Sequence, residues 1–230
     1  MDWREEHGKV LIDFLNYMNS RTDKYILKGG TALAQCYGLN RFSEDIDIDG
    51  SGNSFLNICH TFAKQHGYEC RIAKDTETVK RCLMHYGGVK PLKIEMSSRR
   101  AIISEREITT INGIRVYNIN TMAILKASAY QQRNKIRDLF DVTFIINNYY
   151  DELEETTKLI LQNALEYKGL EHFDYIVNNQ EDELIDIEIL AENFLNAIDT
   201  MGVLVDEDER TEIEEDYFNS FSNNGIKPNI

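Results

Sequence analysis

Asp45-Ile46-Asp47-Ile48-Asp49 limits the possible folds of this chain more than any other stretch. In a β-strand alternate side chains share a face, so this pattern predicts three carboxylates on one side and two isoleucines in the core. Like charges on one face repel, and a cation or a function is needed to justify them. Ahead of the acids, the short apolar run Tyr25-Ile26-Leu27 leads into Gly29-Gly30, and a helical segment from Thr31 to Tyr37 ends at Gly38. Glycines let the backbone approach a phosphate closely, and a helix N-terminus offers it free N–H groups. Asp45 and Asp47 are the kind of oxygen donors that a hard cation such as magnesium takes together with substrate phosphates. A strand, a glycine pair, a helix and an acidic strand in this order predict an α/β (α+β) core that handles a nucleoside triphosphate. Asp49, at the end of the acidic strand, is assigned to the turn that follows.

The rest of the chain extends this core. Val10, Leu11, Phe14, Leu15 and Met18 lie at helical spacing, and a second helix is expected over 54–66, capped by the turn Gly50-Ser51-Gly52-Asn53. Strands are expected over 68–73, 79–86 and 91–96, and the Asn112-Gly113 turn predicts a hairpin of 108–111 with 114–117. Leu92, Ile94 and Met96 alternate with Lys93 and Glu95; an acid in a central strand needs a partner or a function, and facing solvent, paired near Lys93 or with Arg99, is the plainer alternative. A helix is predicted from Asn120 or Thr121, carrying Lys126. In the next segment Arg133, Lys135 and Arg137 precede Asp138 and Asp141, which stand one helical turn apart. Beyond Tyr150 the pattern is helical, over 151–166, 169–177, 184–200 and 209–221. The predicted division is a nucleotide-handling core at 1–118 and a helical part with an acidic surface at 119–230.

Gly29-Gly30 followed by Asp45-x-Asp47 resembles the signature of the polymerase-β-like nucleotidyltransferases. Lys28-Gly29-Gly30-Thr31-Ala32-Leu33 with Arg41-Phe42-Ser43-Glu44-Asp45-Ile46-Asp47 resembles, more closely, the AbiEii/AbiGii-type toxins. The resemblance implies a nucleotidyltransferase-fold mixed sheet flanked by helices, and a cytoplasmic enzyme that works with Mg2+ or Mn2+ and an NTP. It implies that Asp45, Asp47 and Glu95 are catalytic and hold the metal. Gly29, Gly30 and Thr31 would cradle phosphate, with Ser43, Lys93 and Lys126 as further nucleotide contacts suggested by position. Lys126, Arg137, Asp138 and Asp141 match a later family pattern whose residues contact the nucleotide; an ordinary salt-bridged helix start explains them equally well. The expected activity is transfer of a nucleoside monophosphate from an NTP to an RNA acceptor such as tRNA by a two-metal mechanism, with an antitoxin protein as a possible partner. Nucleotidylation of a protein hydroxyl and a catalytically silent binding module are the alternatives.

Charge and composition narrow the partners. No run of eighteen apolar residues is present, so no membrane span is expected, and the opening Met-Asp-Trp-Arg-Glu-Glu lacks a signal-peptide layout. The widely spaced Cys36, Cys59, Cys70 and Cys82 are expected to be reduced thiols. The net charge of −14 is divided unevenly: residues 1–150 hold 21 Lys+Arg against 17 Asp+Glu, and residues 151–230 hold 4 against 22. Within the first part, residues 71–137 hold fourteen cations and five acids, so a polyanion would meet the middle of the chain and avoid its end.

Overall fold

The computed structural model describes residues 2–203, apart from Asn53 and Ala101. The helix expected over 209–221, the acidic run Asp206-Glu207-Asp208-Glu209 and any part of Asn53 in capping lie outside the described residues. The chain divides into two compact units, Met1–Met122 and Ala123–Ile230.

The first unit is built on a seven-stranded mixed sheet. Its strands are β1 (Tyr25–Lys28), β2 (Ile46–Gly50), β3 (Glu69–Asp75), β4 (Val79–His85), β5 (Leu92–Ser97), β6 (Ile108–Ile111) and β7 (Ile114–Tyr117). They lie in the order β3-β4-β5-β2-β1-β7-β6. The acidic strand β2 is central, parallel to β5 and antiparallel to β1. A central strand is flanked on both edges, so its alternation is enforced: Ile46 and Ile48 are fully buried. Helix α1 (Trp3–Arg21) starts at Asp2, whose side chain accepts from the Arg4 N–H, and buries the apolar positions expected of it. Helices α2 (Gly29–Cys36) and α3 (Ser54–His66) follow β1 and β2. The β6–β7 turn has positive φ at Asn112 (52°) and Gly113 (79°), the twist that suits a two-residue hairpin. Cys70 and Cys82 correct the expectation of four separate thiols. They are joined as a disulfide across the β3–β4 hairpin, which brings residues twelve apart in sequence to adjacent strands. Cys36 and Cys59 are free.

Helix α4 (Ile119–Gln132) spans the division between the units, four residues later than the boundary drawn from sequence. The second unit holds α5 (Ile136–Tyr149), α6 (Glu155–Asn179) and α7 (Ile187–Met201), with no strand among its described residues. α5 packs on α6 and α7, and Phe173 stacks on Phe194 with ring centroids 4.4 Å apart. The two helices expected over 151–166 and 169–177 are present within Glu155–Asn179, together labelled α6, and are parted at Gly169, whose backbone is not helical (φ 66°). α7 is capped by the Asp186 carboxylate, which accepts from the Glu188 and Ile189 N–H groups, and it ends at Gly202 in the left-handed region. Among the described residues no helix is long and apolar enough to cross a membrane.

Candidate active site

Strand register assembles the site. Asp47 lies opposite Glu95 on β5 and opposite Lys28 on β1; Glu95 in turn lies opposite Arg81 on β4. Residues in register share a face, so Lys28, Asp47, Glu95 and Arg81 form one row across four strands. Asp45, two residues before Asp47, begins the neighbouring row beside Lys93, whose Nζ lies 2.5 Å from Asp45 Oδ2. Asp45, Asp47 and Glu95 therefore come together on one face, as do Lys93 and the glycine pair at the end of β1.

Each outer carboxylate has its own cation. Arg81 Nε donates to Glu95 Oε2 at 2.6 Å, so the surface pairing with Arg99 considered from sequence is replaced by one inside the sheet. Burial raises the pKa of Asp47 above 3.8; Asp45 and Glu95 add to the shift, and Lys93 and Lys28 oppose it. For Lys93, burial alone would lower the pKa, but the hydrogen bond to Asp45 and the charges of Asp45, Asp47 and Glu95 raise it above 10.5. The ammonium of Lys93 thus remains charged beside the carboxylates.

Both glycines stand at a close approach, and Gly29 also needs a positive φ. Gly29 has φ 80°, and a Cβ there would meet Asp47 Oδ2 at 3.1 Å; a Cβ on Gly30 would lie 2.7 Å from Arg41 Nη2 and 3.0 Å from Ser43 Oγ. α2 begins without a side-chain cap, so its first amides are directed to the site without a competing side chain. The Thr31 hydroxyl donates to the Asp45 carbonyl and lies 2.9 Å from Ser43 Oγ, which ties α2 to the segment that carries Asp45. His7, fully buried, holds the same segment from α1: its ring nitrogens lie 2.7 Å from the Glu44 carbonyl and 2.7 Å from Tyr86 Oη.

Asp49 differs from its sequence assignment. It is 3% exposed, and it serves the sheet rather than the turn. Lys28 Nζ lies 2.5 Å from its Oδ1, and Tyr117 Oη donates to its Oδ2 at 2.9 Å. Burial, with the charge of Asp49 next, pushes the Tyr117 hydroxyl well above its ordinary pKa. Sequence reasoning missed Lys28, Arg81, Asp49 and Tyr117 as a set. The available signal was the presence of charged residues among the apolar positions of β1, β2 and β4.

The later motif residues belong to ion pairs within the second unit. Lys126 and Asp141 are both buried and 2.5 Å apart; Arg133 makes a two-pronged pair with Asp138 at 2.6 and 2.8 Å; Arg137 pairs with Asp182.

Among the described residues, no three His, Cys, Asp or Glu side chains converge closely enough to form a ready cage for a metal ion. The carboxylate heads of Asp45 and Glu95 turn instead to Lys93 and Arg81. The donor set still fits a hard divalent cation. Three carboxylates share one face, and burial together with like-charged neighbours disfavours the ionised Asp47 that a cation would stabilise.

A mixed sheet with paired carboxylates beside a helix-opening glycine pair defines the nucleotidyltransferase fold. The sequence profile of the nucleotidyl transferase AbiEii toxins, of the type IV toxin–antitoxin system, matches residues 15–221, and the chain belongs to this family. A candidate nucleotidyltransferase from H. pylori is 27% identical, with a TM-score of 0.72, over 88% of this chain and 96% of that one. JHP933 from Helicobacter pylori is 25% identical, with a TM-score of 0.71, over 96% and 99% of the two chains. MenT4, a nucleotidyltransferase toxin from Mycobacterium tuberculosis, shares the fold at 14% identity and a TM-score of 0.54, over 94% of each chain. No curated protein sequence matches this chain.

Proposed function

We propose that this nucleotidyltransferase toxin transfers a nucleoside monophosphate from an NTP to an RNA acceptor, with tRNA the leading candidate, in the cytoplasm of its host. The observation that carries the reading is the in-register pair Asp47–Glu95 with Asp45 on the same face, beside a glycine pair whose backbone approaches Asp47, Arg41 and Ser43 closely. Asp45, Asp47 and Glu95 would hold divalent magnesium, with manganese as a substitute. Bound there, the metal would supply Lewis-acid stabilisation of phosphate charge and ease ionisation of the acceptor hydroxyl. The chain's own groups do the rest. The amides of Gly29, Gly30 and Thr31 hold the outer phosphate oxygens at the start of α2. Ser43, next to Gly30, offers a hydroxyl to the same oxygens. Lys93 sets a positive charge beside Asp45, where it offsets charge that develops on the departing pyrophosphate. For Lys126, Arg137 and Asp138 a contribution through the second unit, by way of their ion pairs, fits better than direct contact.

The test uses purified protein, magnesium and each α-labelled triphosphate in turn, incubated with total RNA and separately with lysate protein. Label in a tRNA-sized band, lost with Asp45→Asn, is the expected outcome. Label entering protein alone would reject the RNA acceptor, and no label in either fraction would reject transfer. An antitoxin, implied by the family, would be recognised as a gene product that relieves the effect of the toxin.

A further inference from the structure

We propose that the solvent face of β3 and β4 is a phosphate track that guides an RNA acceptor to the carboxylates; this rests on the RNA reading above. The catalytic row does not stop at Arg81. Lys74 on β3 lies opposite Arg81, and Arg71 lies opposite Leu83, which itself faces Lys93. In a regular strand residues 71 and 74 would point to opposite sides. A register shift between Ile72 and Lys74 inserts one extra residue, so both Arg71 and Lys74 share the face of Leu83 and Arg81. The bulge converts an odd spacing into a one-sided pair of cations about 7 Å apart along the sheet.

Both side chains are exposed, and neither has an ion-pair partner among the described residues. Their neighbour Lys80, on the opposite face, is paired with Asp75. Glu69 opens β3 on this face opposite His85, and from there inward the rows carry no acid until Glu95. The cations thus lie in line with the site, about 14 Å of sheet from β2 to the β3 edge. A polyanion laid across β4 would meet Arg71 and Lys74 first and end at Asp45 and Asp47. A mononucleotide in the glycine cradle would not reach the edge strand, so these charges fit the acceptor rather than the donor.

Arg71→Glu/Lys74→Glu tests the track, because both positions are exposed on an edge strand and outside the catalytic set. Fluorescence anisotropy with labelled bulk tRNA is measured across a salt series, beside binding of a fluorescent triphosphate. The variant should bind RNA about tenfold more weakly at low salt, and its salt slope should fall by roughly 1.5 to 2, with triphosphate binding unchanged. The milder Arg71→Gln/Lys74→Gln should fall between variant and native. Unchanged RNA affinity and slope with intact triphosphate binding would overturn the track while leaving the RNA reading in place. Loss of protein labelling in place of RNA binding would assign the surface to a protein partner and overturn it. Native protein that binds triphosphate but no RNA would overturn both the track and the RNA acceptor.

Discussion

The carboxylates on one face of the sheet behave differently because their surroundings differ. Asp45 lies just before β2 and faces Lys93, whereas Asp47 is fixed within the strand. Asp47 therefore carries the electrostatic cost of the site. Its folded pKa is raised, so its charged form is disfavoured in the native state. The associated stability is present below pH 3.8 and is lost as pH rises through the folded value. Asp47→Asn should accordingly melt at or above the native temperature near pH 7, and the two curves should converge below pH 3.8; thermal melts across pH check this. Transfer by the same variant should fall by roughly 10²-fold or more, since several kcal/mol of charge stabilisation depend on the metal it would hold. A variant with lowered melting temperature and retained transfer would contradict both statements.

At the scale of elements, Asp49 links β2 to β1 and β7 through Lys28 and Tyr117. Tyr117→Phe removes a hydrogen bond to a buried carboxylate and should cost about 1.5–3 kcal/mol in urea unfolding. Lys28→Met should cost more than Lys28→Met/Asp49→Asn, because the single change leaves a buried charge without its cation; a double-mutant cycle would measure the difference. The hairpin turn offers a simpler test. Gly113→Ala, at φ 79°, should cost about 1–2 kcal/mol. The β6–β7 hairpin was legible to the residue, since Asn-Gly between two alternating runs allows one twist, and β2 was legible from Ile46 and Ile48. The role of Asp49 was not. A residue at the end of a strand reads as part of a turn, and only the sheet order reveals that β7 brings Tyr117 to it. The same holds for Arg81, whose match with Glu95 depends on the register of β4. Lys126 and Asp141 lie on separate helices, and no local pattern records that they meet.

For the whole molecule, family membership and the charge distribution lead to one cellular expectation. Production of the intact chain should arrest growth of a bacterial host and lower its colony counts. Asp45→Asn should be tolerated at equal protein level; plating with and without induction checks it. Equal arrest by both would separate toxicity from the carboxylate face. The pairing of Lys93 with Asp45, Arg81 with Glu95 and Lys28 with Asp49 has a further result. The acids arrive with their own counter-ions from neighbouring strands of the same sheet. A newly made copy can therefore reach its finished shape without waiting for any small molecule. A cation taken up for transfer would then enter a sheet already formed around its own ion pairs, so its supply would govern activity and not folding.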